Sequence, residues 1–124
     1  MYPLKAILIG RNNSLLQRVR IELFNLNVEI EQEFSDVQSA IDNLTIHHDE
    51  NRLFVCHCDV DHQEQVIKRL SGAFRGRPTV ALIEGESSSL SLVHAMRDGA
   101  AQVVMLPLDS QDFREAIDMV GLQF

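Results

Sequence analysis

Short apolar runs and longer amphipathic segments alternate five times along this chain. Four of the runs are continuous and rich in branched apolar residues, as expected for strands that are buried on both faces. They comprise Leu4–Ile9, Leu53–Cys58, Thr79–Ile83 and Val103–Leu106. Between the first two, Val28, Ile30 and Phe34 alternate with acidic residues, which indicates an edge strand. Parallel strands need a crossover helix between them, so this alternation restricts the fold more than any other feature.

Each apolar run is followed by a segment with helical periodicity and recognisable ends. Polar side chains that accept hydrogen bonds from a first helical turn predict where the helices start. The candidate caps are Asn13 or Ser14 for the first helix, Ser35 with Gln38 for the second, Ser87–Ser89 for the fourth and Asp109 or Ser110 for the fifth. Glycines predict two of the ends, because a residue with positive φ commonly terminates a helix. The expected ends are about Leu26 for the first helix, Gly72 or Gly76 for the third and Gly99 for the fourth.

Strict alternation of strand and helix predicts an α/β fold in which helices cover both faces of a parallel sheet. Five such units fit a flavodoxin-like (βα)5 sandwich, doubly wound, with strand order 2-1-3-4-5. The 124 residues are expected to form one domain, of a kind that fits the amino-terminal part of a longer protein. In this topology a ligand crevice lies at the carboxyl ends of strands one and three.

Charge and composition exclude several classes of function. The net charge of −7 and the sequence pI near 5.1 argue against nucleic acid as a partner of this domain, because binding to phosphates needs clustered Lys and Arg. No apolar window approaches the roughly 18 residues of a membrane span. The first residues lack the pattern of a secretory signal. We therefore expect a cytoplasmic protein that does not bind membranes.

The segment with Cys56, His57 and Cys58 contains residue types that bind metals. Its spacing argues against a metal site, because both cysteines share one face of a strand and the Cys-x-x-Cys turn is missing. We expect two buried thiols in a reducing compartment. No Gly-x-Ser-x-Gly elbow and no P-loop occurs in the sequence. We therefore predict no metal, no cofactor and no enzymatic activity.

The segment from Met96 to Leu108 resembles the response-regulator receiver domains of the CheY-like family, and the resemblance extends over the whole chain. Receivers carry a Gly-Ala pair after the fourth helix, here Gly99-Ala100, and a fifth strand that ends in Lys-Pro. The resemblance implies an acidic pair after strand one that holds Mg²⁺, an acceptor aspartate after strand three, a Ser or Thr after strand four, and that lysine. The metal and the lysine would neutralise charge on the transferring phosphoryl oxygens. It also implies a cis peptide bond at Leu106-Pro107.

This chain departs from the receiver pattern at most positions of that site. The substituted positions are Gly10 and Arg11 for the acidic pair, Ile83 or Glu84 for the hydroxyl, and Leu106, directly before Pro107, for the lysine. Asp59 follows the third strand, although the usual register places the acceptor nearer His57 or Cys58. We interpret these residues as a vestigial phosphorylation pocket that does not bind Mg²⁺, in which Asp59 is the remaining candidate acceptor.

Among degenerate receivers, the chain is similar to the amino-terminal domain of the pilus-assembly localisation proteins called TadZ or CpaE. The matching segments are Asp98–Ala100, Leu106–Asp109 and Phe113–Ile117. In those proteins the receiver-like domain precedes a deviant P-loop ATPase that binds at the cell pole. The resemblance therefore implies a signalling or localisation role in a bacterial cytoplasm.

We predict a non-catalytic pseudo-receiver that acts through a protein partner or through self-association, including as a homodimer. The surface formed by the fourth helix, the fifth strand and the fifth helix is the expected interface. Its candidate residues are Leu92, His94, Arg97, Gln102, Arg114, Asp118 and Met119. Two alternatives remain open. One is a phosphorylatable receiver that uses Asp59, and the other is a small-ligand sensor at a crevice formed by Gly10, Asn12 and Asp59.

Overall fold

Five parallel strands and the helices that connect them account for most of the described chain. The computed structural model describes residues 4–44, 51–58, 63–74, 77–84, 95–97 and 99–122. The strands are β1 (Lys5–Ile9), β2 (Glu29–Phe34), β3 (Arg52–Cys58), β4 (Thr79–Glu84) and β5 (Gln102–Leu106). The helices are α1 (Asn13–Asn25), α2 (Val37–Asn43), α3 (Gln63–Ala73) and a C-terminal helix (Ser110–Gly121). Every predicted strand is present, with bounds that differ by at most one residue from the sequence prediction.

The strands form one sheet in the order β2-β1-β3-β4-β5, which confirms the predicted doubly wound topology. The edge strand β2 contains an irregularity. Ala6 pairs with Ile30 and Ile7 with Gln32, so Glu31 is an additional residue in β2. The Glu31 carboxylate binds the guanidinium of Arg52, which is only 2% exposed, at an Nη2–Oε1 distance of 2.6 Å. This ion pair joins the bulge to the first residue of β3.

Two hydrophobic layers cover the two faces of the sheet. Alternate residues of β1 divide between them: Ala6 and Leu8 face α1 and the C-terminal helix, whereas Ile7 and Ile9 face α2 and α3. The same division applies to the other central strands, β3 and β4, which explains why their sequences are continuously apolar. None of the described helices is long and apolar enough to cross a membrane.

Three helices begin with a side-chain cap, and two of these caps differ from the sequence prediction. Asn12, not Asn13 or Ser14, caps α1 by accepting a hydrogen bond from Leu15 N at 3.0 Å. Asp36, not Ser35, caps α2 by accepting from Ser39 N at 2.8 Å. The predicted cap Asp109 is confirmed for the C-terminal helix.

Gly99 ends the fourth predicted helix, of which residues 95–97 are described. Its φ is +118°, and its N–H donates to the Met96 carbonyl at 3.2 Å, while Ala100 N donates to the Ala95 carbonyl at 3.0 Å. These two bonds are the paired bonds of a glycine-terminated helix. The predicted end at Gly99 is therefore confirmed, and the predicted cap at Ser87–Ser89 lies outside the described residues. In α3 the helix passes Gly72 and ends one residue later.

Candidate functional site

The carboxyl end of the sheet brings the predicted pocket positions of four strands close together. Ile9 pairs with Cys56, so the next residues, Gly10 and His57, lie side by side. A Cβ atom on Gly10 would stand 3.2 Å from the Cβ of His57. His57 therefore lies beside the first residue of the expected acidic pair, and it is, with Cys58, one of the two positions near which the usual receiver register places the acceptor.

The His57 ring binds the carboxylate of Glu84, the last residue of β4. Nε2 and Oε1 are 3.0 Å apart, with the His57 side chain 9% exposed and that of Glu84 46% exposed. Of the two candidates for the hydroxyl position, Ile83 packs into the core that faces α2 and α3, whereas Glu84 is about half exposed and binds His57. The crevice thus contains a carboxylate at the end of β4, bound to an imidazole at the end of β3.

Leu106 pairs with Glu84 in the sheet and is buried beneath the C-terminal helix. The peptide bond that follows it, Leu106-Pro107, is cis, as the resemblance implies, and Pro107 is exposed. Leu106 therefore contributes apolar surface where the resemblance implies a lysine. Alternation along the strands places Leu106 on the same face of the sheet as His57 and Glu84.

Arg11 points away from this row of residues. Its guanidinium binds the Asp36 carboxylate beyond β2 at 3.2 Å, and its side chain is 75% exposed. The Asp36 carboxylate also accepts hydrogen bonds from Ser39, which are the main reason that its pKa lies below the ordinary value of 3.8, and Arg11 lowers that pKa further. The positive charge of Arg11 is thus paired with the cap of α2.

The side-chain oxygen of Asn12 accepts the hydrogen bond that caps α1. Asp59 lies outside the described residues, so the remaining candidate acceptor has no described position. Within the described residues, no group of three or more His, Cys, Asp or Glu side chains is arranged to hold a metal ion.

Cys56 and Cys58 are both buried on the face that packs against α2 and α3, and His57 points to the opposite face, as predicted from strand periodicity. The hydrogen bond to Cys58, together with burial, raises the pKa of the Cys56 thiol well above its ordinary value. Cys56 is therefore a neutral thiol, and both cysteines are core side chains.

A second candidate site is an open groove of about 300 Å³ between β5 and the C-terminal helix. Its strand side is residues 102–105, and its helix side is formed by Asp112, Glu115, Ala116 and Met119. Two of the predicted interface residues, Gln102 and Met119, line this groove, and Met119 is 51% exposed. Three others, Arg97, Arg114 and Asp118, are exposed but do not line it, while Leu92 and His94 lie outside the described residues.

The sequence prediction missed Asp112 and Glu115 as groove residues. Their spacing contains a signal, because residues 112, 115 and 119 follow the i, i+3, i+7 pattern of one helix face. It also missed the His57–Glu84 pair, which depends on the relative register of two strands that are distant in sequence.

Comparisons with known proteins agree on the fold. No family model matches the chain, and no curated protein matches it by sequence. Solved structures do match: a proposed pilus assembly protein (CpaE) from Burkholderia thailandensis is 16% identical, with a TM-score of 0.74 over 97% of this chain and 98% of that one. A CheY-like receiver domain protein from Methanospirillum hungatei is 15% identical, with a TM-score of 0.75 over 98% and 96%.

The response regulator RcsB from Salmonella typhimurium is 16% identical, with a TM-score of 0.82 over 98% of this chain and 61% of that chain. At such low sequence identity, structural similarity shows the fold alone. The chemistry of this chain has to be argued from its own residues. The strand order 2-1-3-4-5 and these similarities together show that this chain has the fold of the CheY-like receiver domains.

Proposed function

We propose that this domain is a non-catalytic pseudo-receiver, a protein-interaction module that acts in signalling or localisation without being phosphorylated. The observation that carries the proposal is the bond between His57 and Glu84. It places a carboxylate and an imidazole in the part of the crevice where a receiver would hold the transferred phosphoryl group.

The charges at the pocket positions support the proposal that the domain is not phosphorylated. A phosphoryl group brings negative charge that a catalytic site must neutralise. Gly10 offers no carboxylate to hold Mg²⁺, and Leu106 offers no ammonium group. Glu84 adds a half-exposed carboxylate, which would repel the phosphoryl oxygens. These three positions each remove or oppose a contribution that phosphoryl transfer to a receiver requires.

Incubation with Mg²⁺ and either acetyl phosphate or beryllofluoride tests the proposal. We expect the intact mass to stay that of the unmodified chain. A stoichiometric adduct that disappears in Asp59→Ala would establish the alternative, a receiver that uses Asp59 as its acceptor. An adduct that persists in Asp59→Ala would also contradict the proposal, and peptide mapping would then locate it.

The small-ligand sensor is the second alternative. It would require polar groups free to bind at the crevice, and the side chain of Asn12 already caps α1. We therefore rank it below the interaction module. Saturable binding of a nucleotide or flavin that is lost in Gly10→Trp but retained in the matched surface variant Gln17→Trp would favour the sensor instead.

The proposed working surface combines the end of the fourth helix, β5 and the C-terminal helix. Met96 and Met119 expose 49% and 51% of their surface there, and Arg97, Arg114 and Asp118 surround them with charge. A protein partner or a second copy of the chain would bind this face. The pilus assembly proteins of the same fold make pilus localisation the first biological process to examine. The free thiols of Cys56 and Cys58 support a cytoplasmic location in a bacterium.

A further inference from the structure

The two edges of the sheet differ in how they discourage pairing with another strand. The β2 edge carries the bulge at Glu31 and exposes Glu29 and Glu33, and both features oppose the addition of a strand. The β5 edge has neither device. Its sequence, Gln102 to Leu106, contains no charged residue, and its pairing with β4 continues without a register shift.

Within the described part of the chain, the outer side of β5 has no backbone partner. Among the described strands, β5 pairs only with β4. The backbone N–H and C=O groups of a parallel strand point alternately to its two sides. In β5, half of these groups bond to β4. The other half point away from β4, toward the groove beside the C-terminal helix. An extended segment in this groove would form backbone bonds with them.

The helix side of the groove selects for positive charge. Asp112 and Glu115 are exposed, and no cationic side chain of the described residues forms an ion pair with either. Met119 adds exposed apolar surface one turn further along the helix. If two copies of this chain paired their β5 edges across a twofold axis, their C-terminal helices would also lie next to each other. The Asp112 and Glu115 side chains of both copies would then face the same groove. Repulsion between like charges disfavours that occupant.

From these observations we propose that β5 is a docking edge that binds an extended, basic segment of another protein as a sixth strand. In this arrangement the Lys or Arg side chains of every second residue of the segment face Asp112 and Glu115. Its backbone pairs with β5, and its intervening apolar residues point to the opposite face of the sheet, where they contact Met105. The aliphatic stems of its basic residues contact Met119. This inference rests on the proposed function, since it names the class of partner that the interaction face accepts.

Three peptides of about six residues test the docking edge. The first is acetyl-(Lys-Val)3-amide, the second has Glu in place of Lys, and the third is the first with N-methyl groups on alternate peptide nitrogens. Each is titrated into the ¹⁵N-labelled protein while amide shifts and hydrogen exchange are recorded. We expect the basic peptide to shift the amides of residues 102–106 and 112–119 and to slow exchange in β5. The acidic and the N-methylated peptides should bind at least about tenfold more weakly.

Charge variants supply the matched control. Asp112→Asn with Glu115→Gln should weaken binding of the basic peptide about fivefold to tenfold, since each exposed ion pair contributes modestly. Asp42→Asn with Glu29→Gln changes the net charge equally and lies outside the interaction face, since Asp42 is an exposed residue of α2 and Glu29 lies on the β2 edge, so its binding should match that of the unaltered protein.

Several results would overturn the inference. Equal binding of the basic and acidic peptides would remove the charge selection, and equal binding of the N-methylated peptide would exclude strand pairing. Shifts located elsewhere on the surface would exclude this groove. A dimer in sedimentation equilibrium whose β5 amides exchange more slowly than those of the dilute monomer would show that the occupant is a second copy. All of these results are independent of the acetyl phosphate experiment, so a failure of the docking edge is distinguishable from a failure of the pseudo-receiver proposal.

Discussion

His57 and Glu84 bind each other across the carboxyl ends of β3 and β4, with 3.0 Å between Nε2 and Oε1. The imidazole is nearly buried, and the carboxylate is about half exposed. The pair therefore links two central strands at the point where the topology places a ligand crevice.

This relationship predicts a measurable coupling between the two side chains. His57→Ala should lower the free energy of unfolding by about 1 to 2 kcal/mol, because it removes a nearly buried ring and its hydrogen bond. Glu84→Ala should cost less than about 1 kcal/mol, because its side chain is about half in solvent. Urea unfolding of both single variants and the double variant forms a thermodynamic cycle. A coupling free energy indistinguishable from zero would show that the bond contributes nothing to stability.

The turn at Gly99 predicts a large difference between two glycine substitutions. Gly99→Ala should lower the free energy of unfolding by about 1 to 3 kcal/mol, because φ is +118° and the new Cβ would overlap the Ser71 hydroxyl. Gly72→Ala, the matched control in α3, meets no atom within 4 Å. It should raise the free energy of unfolding by about 0.5 kcal/mol through helix propensity. Thermal or urea unfolding measures both, and equal effects would contradict the assigned backbone conformation.

The lowered pKa of Asp36 predicts that the free energy of unfolding depends on pH in the acid range. Its pKa is lowered in the folded state, chiefly by hydrogen bonds from Ser39 and then by Arg11. The charged form therefore stabilises the folded state above the ordinary pKa of 3.8, and this contribution is lost as the pH falls through the lower folded pKa.

The variant Asp36→Asn tests the contribution of the Asp36 charge to stability, because Asn still caps a helix but has no charge. The difference in free energy of unfolding between the unaltered protein and Asp36→Asn should be constant near neutral pH and should shrink below about pH 4. Arg11→Gln should remove only the smaller part of the effect. A difference that stays constant through the acid range would contradict the lowered pKa.

The two cysteines should be unreactive in the folded protein. Both are fully buried, and the raised pKa of Cys56 keeps its thiol protonated, whereas the thiolate is the reactive form. We expect N-ethylmaleimide to add no mass to the native chain and to add two groups to the urea-unfolded chain. The urea midpoint of labelling should match that of unfolding. Rapid labelling without urea would contradict the burial of the thiols.

Local sequence signals located the elements well and the caps less well. Continuous apolar runs predicted four strands, because burial on both faces leaves little room for polar residues, and alternation with acidic residues predicted the edge strand β2. The caps of α1 and α2 were each displaced by one residue, since Asn12, Asn13 and Ser14, or Ser35 and Asp36, have similar capping ability. The choice between such neighbours depends on where the preceding strand releases the chain, and only the packed structure sets that point.

The sequence by itself determined the alternating architecture, the burial of both cysteines and the identity of the residues at the former pocket positions. These follow from periodicity and from residue types, which are local properties of the chain. Tertiary structure alone decided that Glu84 rather than Ile83 enters the crevice and that it binds His57. It also placed Asp112, Glu115 and Met119 beside the open edge of β5. Strand register and helix packing bring together residues that are far apart in sequence, and no local pattern encodes those distances.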